Sequence, residues 1–274
     1  CSTIILTRLL YPGAFGEVLI VMTIWSLVVL LTDIGLRASV INNPRGDDDS
    51  NYLNTIWSLQ LIRGICLGAT LFVLAPIISK FYEYPNLVFN IKLIGLMATI
   101  QGLNSTKLYQ NERNLNFSPN VRIELKSQVI YLVSAILLSA YLADSRSLSI
   151  SLVVSSVVTA FFSHRLSTGC KNRFFLEVSA ILSVVNFGKW IFLATMLMWM
   201  LRESHKLVLG LKLDAEVMGL YAVAIRLSMV GLDVITKFSN RWVVPAYSKL
   251  KSQSLDNWES KAFKIRLVLL ALAF

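Results

Sequence analysis

Residues 18–32 read VLIVMTIWSLVVLLT, fifteen positions without a charge and apolar on every face a helix could present. Five more uncharged runs follow, at residues 64–79, 93–106, 127–143, 148–163 and 190–201. A bilayer core is ~30 Å thick and takes roughly 20 predominantly apolar residues per helix, a length the runs approach once the mostly apolar residues beyond their bounding charges are counted. Hydrophobic residues make up 55% of the chain and charged residues 15%. A membrane-spanning barrel would alternate apolar and polar residues instead. All-round apolar runs suit helices, which satisfy every backbone group internally. The expected fold is all-α, a polytopic transmembrane helical bundle.

The runs and their flanks place helices at 1–10, 15–40, 52–82, 87–109, 121–142, 148–166, 179–201 and 218–238. A ninth begins near 262 and runs to 274. The first and last start or stop inside apolar sequence, so the bundle is expected to be truncated at both ends.

Numbering the loops along the chain tests this layout. Even-numbered loops hold sixteen Lys and Arg, among them Arg37, Arg45, Lys107, Arg113, Lys171, Arg173 and Lys249. Odd-numbered loops hold six: Arg8, Lys80, Arg146, Arg202, Lys206 and Lys212. Basic residues collect in cytoplasmic loops, which puts the even loops inside the cell. The same bias accounts for the net charge of +10, so that charge is no argument for nucleic-acid binding. Tyr52, Trp57, Phe81, Tyr82, Tyr84, Tyr109 and Tyr141 fall near helix ends, where amphipathic rings favour the interface.

Cys1, Cys66 and Cys170 have no paired spacing, and His164 and His205 stand far apart. Neither a disulfide framework nor a metal site follows. No Walker-type loop is present, and no cofactor is expected.

Two short segments resemble each other. Phe15-Gly16 opens the second helix and Met218-Gly219 opens the eighth, each after a short turn. Each leads into an apolar span with one aspartate, Asp33 or Asp233. Duplicated bundles are a common transporter plan.

Further stretches carry a family resemblance. They include Arg8-Leu9-Leu10-Tyr11-Pro12, Asp33-Ile34-Gly35-Leu36, Trp57-Ser58-Leu59-Gln60 with Arg63-Gly64, and Ala75-Pro76 with Phe81-Tyr82 and Pro85. Arg113-Asn114-Leu115-Asn116-Phe117 and Phe187-Gly188-Lys189-Trp190 follow, then Gly219 to Ala224 and Pro245-Ala246-Tyr247-Ser248-Lys249-Leu250. In this order they resemble the polysaccharide (oligosaccharide) flippases, in the superfamily that also holds multidrug/toxin extruders and lipid II flippases. Members often carry an acid before the Leu-x-Leu-Gly of the seventh region. Here His205-Lys206 precedes Leu207-Val208-Leu209-Gly210, so that acid has no counterpart.

The resemblance implies two six-helix bundles around a central cavity, with residues 1–166 in the first and 175–274 beginning the second. It implies a flippase for polyprenyl diphosphate-linked oligosaccharide, serving surface polysaccharides such as lipopolysaccharide O-antigen or exopolysaccharide. Its partners would be that substrate, membrane lipid and the polysaccharide polymerase machinery, and its place the bacterial cytoplasmic (inner) membrane.

Among the charges inside the expected spans are Arg63, Lys92, Lys189, Arg226, Asp33 and Asp233. A charge at mid-membrane costs ~3 kcal/mol on insertion scales and usually faces a cavity or a partner. Lys92 and Asp33, near helix ends, fit snorkelling. Arg63, Lys189 and Arg226 are the candidates for binding a diphosphate, which Arg grips as a planar fork and Lys as a point charge. Asp33 and Asp233 could couple transport to an ion gradient, or pair with a neighbouring Arg. A cation-coupled drug antiporter is the first rival, and would want an acidic cavity. A membrane-embedded polymerase or glycosyltransferase is the second, and would want a long carboxylate-bearing loop. No enzymatic step is expected.

Overall fold

The computed structural model describes residues 2–33, 35–46, 49–167 and 171–238. Within these, the side chains of residues 2–5, 42, 44, 185–191, 194 and 230–238 lie outside the description, and so does the expected ninth helix. The described chain is helical: α1 (Ser2–Leu9), α2 (Pro12–Leu31), α3 (Leu36–Asn42), α4 (Ser50–Tyr82) and α5 (Leu87–Gly102), then α6 (Lys107–Arg113), α7 (Phe117–Leu142), α8 (Arg146–His164), α9 (Val178–Lys212) and α10 (Ala215–Phe238). Among the described residues, four helices are long and apolar enough to cross a membrane: α2, α4, α7 and α8. A fifth span arises if α5 and α6, bent by 65° at their junction, count as one.

Three boundaries differ from the sequence expectation, each for a local reason. The span expected over 15–40 stops at Leu31. Asp33 Oδ1 accepts the Gly35 N–H at 3.0 Å, and Gly35 adopts φ 70°, a left-handed turn that costs glycine little. The helix expected over 87–109 breaks after Gly102. There Gln60 Nε2 donates to the carbonyls of Gln101, Gly102 and Asn104 at 3.2, 3.2 and 2.9 Å, satisfying carbonyls that a helix end leaves open. In the other direction, α9 continues past Leu201 to Lys212 through a polar stretch. Lys206 Nζ reaches Glu203 Oε2 at 2.6 Å, one turn back on the same face.

Consecutive helices pack as antiparallel hairpins, α4 with α5 and α7 with α8. Contact of α5 with α8 joins the two pairs, and α2 lies against α5 and α9. Small residues set the closest approach: a methyl placed on Gly64 would lie 2.8 Å from Gly102 Cα, and one on Gly95 3.1 Å from the Gly68 carbonyl oxygen. In lipid, where apolar burial gives helices little reason to associate, such backbone contact is a main source of cohesion. The outer face of α7 is different. Val121, Leu125, Val129, Val133, Leu137 and Tyr141, at four-residue spacing, are all exposed, an apolar ladder suited to lipid.

The turns sort by parity. At one end Glu17, just after the first loop, contacts Asn86 of the third and Ser145 of the fifth. Tyr84 of the third donates to the Leu213 carbonyl of the seventh at 2.9 Å. At the other end Arg113 donates to the carbonyls of Val40, Ile41 and Asn43 at 2.9, 2.9 and 2.5 Å, tying the fourth loop to the second. Arg45 holds Glu177 at 2.8 Å, and Lys107 Nζ donates to the Leu166 carbonyl at 2.6 Å, so the sixth loop joins them. Odd loops share one end and even loops the other, as an alternating set of spans requires.

An extended segment of the sixth loop lies along α4 at the even end. The backbone N–H groups of Arg173, Phe175 and Glu177 donate to Asn54 Oδ1, Ser58 Oγ and Thr55 Oγ1 at 2.8, 2.9 and 3.1 Å. Beneath it, Leu36, Val40, Tyr52, Leu53, Ile56, Ala180 and Val184 form a buried cluster joining α3, α4 and α9.

The chain divides into two compact units, Cys1–Leu220 and Tyr221–Phe274. The contacts above all lie in the first. In the second, the described residues are the later turns of α10.

Candidate functional site

Arg63 sits thirteen residues into α4, about 20 Å along it at ~1.5 Å per residue. Its guanidinium nevertheless meets the even end of α2, because α4 begins well beyond that end. Nη2 donates to the Val29 carbonyl at 2.8 Å and Nε to Thr32 Oγ1 at 3.1 Å. The Asp33 carboxylate stands 4.0 Å from Nη1. A helix C-terminus carries partial negative charge, so the cation is offset by the end of α2 and by Asp33 together.

This head lines a cleft of about 140 Å³ between α2, α4 and α5. Trp25, Val29 and Leu67 form its apolar wall, and Gln60, Gln101, Asn104 and Tyr109 its polar one. Tyr109 donates to Gln60 Oε1 at 2.9 Å, which fixes the amide with its Nε2 toward the α5 carbonyls. Asn104 Oδ1 is buried without a hydrogen-bond partner, an acceptor able to take a donor from a ligand.

The structure brings Arg63 and Asp33 together, and Asp33 Oδ1 also holds the turn after α2. Arg226 is exposed and lies in the second unit. The side chains of Lys189 and Asp233 lie outside the described residues. Lys92 is exposed on α5, as snorkelling requires. Among the described residues no group of three His, Cys, Asp or Glu could hold a metal ion.

Neutral polar residues make most of the cleft, and a search for in-span charges passes over them. Their signal in the sequence was the Gln60 that closes Trp57-Ser58-Leu59-Gln60, and the Gln101 and Asn104 that interrupt an apolar run. Glu17 was passed over for another reason: it falls in the first turns of α2, where an acid reads as interfacial. In the structure it is 5% exposed.

Spans, parity-sorted turns and a polar cleft among lipid-facing helices define a multi-pass, all-α membrane protein. The chain belongs to the family described as polysaccharide biosynthesis protein, whose model matches residues 5–271. It is similar to the teichuronic acid biosynthesis protein TuaB of Bacillus subtilis (strain 168), with 23% identity over 240 residues, covering 85% of this chain and 47% of the relative. It is also similar to the lipopolysaccharide biosynthesis protein WzxC of Escherichia coli (strain K12), with 24% identity over 254 residues, covering 91% of this chain and 51% of the relative. The chain thus spans about half the length of these curated relatives. No solved structure matches it.

Proposed function

We propose that the protein is a flippase that carries polyprenyl diphosphate-linked oligosaccharide across the bacterial cytoplasmic membrane for surface polysaccharide assembly. Residues 1–166 belong to its first bundle and residues 175–274 begin the second, with the even loops facing the cytoplasm. The protein binds and releases its substrate without making or breaking covalent bonds, and hands it to the polysaccharide polymerase machinery outside.

The observation that carries this reading is Arg63 in a polar cleft. A diphosphate cannot enter hydrocarbon unpaired, and here a guanidinium stands beside three amides at the even-loop end, where a substrate made inside arrives. Among the described residues, the ion-pair partner of Arg63 Nη1 is the distant Asp33 carboxylate, and Nη1 can turn to a phosphate oxygen while Gln101 and Asn104 face the adjoining sugar. Asp33 acts as counter-charge until the substrate arrives. Lys189 and Arg226 are the further candidates for a phosphate contact. A site whose cation lines the wall repels the cationic substrates of a drug antiporter.

The test is export by the full-length protein in cells lacking their own flippase. Arg63→Ala should abolish surface polysaccharide at normal protein level, with lipid-linked oligosaccharide accumulating inside. A charge-assisted hydrogen bond of about 1.5–3 kcal/mol predicts a loss of roughly 10- to 150-fold. Arg63→Lys should recover part of it, since a point charge replaces the fork incompletely. Normal polysaccharide in Arg63→Ala would overturn the assignment.

A further inference from the structure

We propose that Glu17 is a proton-binding site at the odd-loop end of the molecule, its proton shared through the Ser145 hydroxyl with Asp144. The inference deepens the flippase reading and rests on it for the link to transport. The proton site itself stands on hydrogen-bond geometry.

Glu17 is 5% exposed, and no Lys or Arg forms an ion pair with it among the described residues. Its Oε1 has only Asn86 Nδ2, at a long 3.5 Å, while Oε2 lies 2.5 Å from Ser145 Oγ. That same oxygen stands 3.2 Å from Asp144 Oδ1 and receives Asn90 Nδ2 at 2.9 Å.

A hydroxyl has one hydrogen and two lone pairs, and Asn90 takes one of those pairs. Asp144 Oδ1 also accepts the Ser145 N–H at 2.6 Å, so with both carboxyls ionised the one hydroxyl hydrogen goes to Glu17 Oε2 and leaves that buried carboxylate with one short bond and the long Asn86 contact. With Glu17 protonated, every position is filled: Glu17 donates to the second lone pair, and Ser145 donates to Asp144. The 2.5 Å separation fits a strong O–H···O bond. Protonation also removes the cost of a buried unpaired carboxylate.

The surrounding charges favour this division. Arg146 Nε pairs with Asp144 Oδ2 at 3.2 Å, so the one cation here stands on Asp144 and away from Glu17, and Tyr11 lies beside both acids. From the other elements packed here, the third loop presents Tyr84, with Asp214 of the seventh loop next to it, and α5 presents Asn90. One turn deeper, Asn90 Oδ1 and Ser149 Oγ are buried without partners, so the amide that braces Ser145 has an acceptor free for a polar guest.

The position ties protonation to shape. Glu17 follows Gly16, whose backbone packs on the opening turn of α10 at Ala215 and Gly219. Parting of those helices at the odd end opens Glu17 to water, where an ordinary carboxylic acid gives up its proton. Closing requires the proton back.

Infrared spectroscopy of the full-length protein tests the site directly. A buried carboxylic-acid carbonyl band should be present at neutral pH, absent in Glu17→Gln and shifted in Ser145→Ala. A band unchanged in Glu17→Gln overturns the proposal. If Glu17→Gln fails to fold, the shift in Ser145→Ala decides, and no shift overturns it. In proteoliposomes, flipping of lipid-linked oligosaccharide should be stimulated severalfold by a pH gradient in the wild type, with the stimulation lost in Glu17→Gln. Stimulation retained in that variant overturns the coupling. A band lost in Glu17→Gln while the wild type flips nothing would leave the proton site standing and remove the flippase reading.

Discussion

Gly16 and Gly219 meet reciprocally. A methyl on Gly16 would collide with the carbonyl oxygen of Ala215, and one on Gly219 with that of Pro12. Each glycine thus faces the carbonyl four residues before the other. Sequence comparison had paired the same two positions as openings of like helices, and a two-fold relation between α2 and the start of α10 would produce this exchange.

Bulk at either position should therefore part the two helices. Gly16→Leu and Gly219→Leu should each lower stability by about 1–3 kcal/mol, the usual cost of overpacking. Thermal unfolding in detergent would measure it, and no change in either variant would show that the contact is dispensable.

Accessibility should follow loop parity. Single cysteines at Asn114 and Lys171 should escape impermeant thiol reagents in intact cells, while cysteines at Lys80 and Asp144 should react. A mixed pattern would break the alternation on which the spans rest.

Gln60 should matter more than its lack of charge suggests. Gln60→Leu strands the carbonyls of Gln101, Gly102 and Asn104 together with the Tyr109 hydroxyl. Each buried group left unsatisfied costs about 1–3 kcal/mol. The melting temperature should drop well below that of Tyr109→Phe, which leaves only Gln60 Oε1 without its donor. Equal melting temperatures would count against the cap.

The start of α4 should register pH. Asp49 accepts the N–H groups of Asn51 and Tyr52 at 3.0 and 3.1 Å and pairs with Arg45 at 2.7 Å. The Tyr52 N–H first, and then Arg45, hold its carboxyl below the usual range. A depressed folded value stabilises the fold above the unfolded pKa of about 3.9, and that contribution is lost as pH falls through the folded value. Asp49→Ala should cost about 1 kcal/mol near neutrality, as loss of an N-cap does. The gap to wild type should narrow below about pH 4; a constant gap would mean the cap acts without its charge.

Long apolar runs made the spans legible, because hydrophobic length alone decides what crosses a bilayer. The breaks at Leu31 and Gly102 were hidden for a related reason. Each depends on a short polar signal inside apolar sequence, the Asp33–Gly35 turn in one case and a glutamine from a different helix in the other. Arg63 could be read as a site candidate from its charge at depth. Its partners could not, since Val29 and Thr32 contribute a helix end and no motif. Glu17 was hidden by position, its burial coming from Ser145 and Asn86, more than sixty residues away along the chain.

The apolar ladder on α7 has a consequence for the lipid around it. Exposed charges continue up that helix as far as Lys126, whose ammonium turns aside to lie 4.4 Å from the Phe162 ring centre. The uncharged stretch from Ser127 to Leu142 is then about 24 Å long at ~1.5 Å per residue, against a hydrocarbon core of ~30 Å. A span that short is met by thinning of the bilayer, by snorkelling of flanking side chains or by association with other helices. Where the bilayer thins to match it, the hydrocarbon beside α7 is about 6 Å thinner than in the open bilayer.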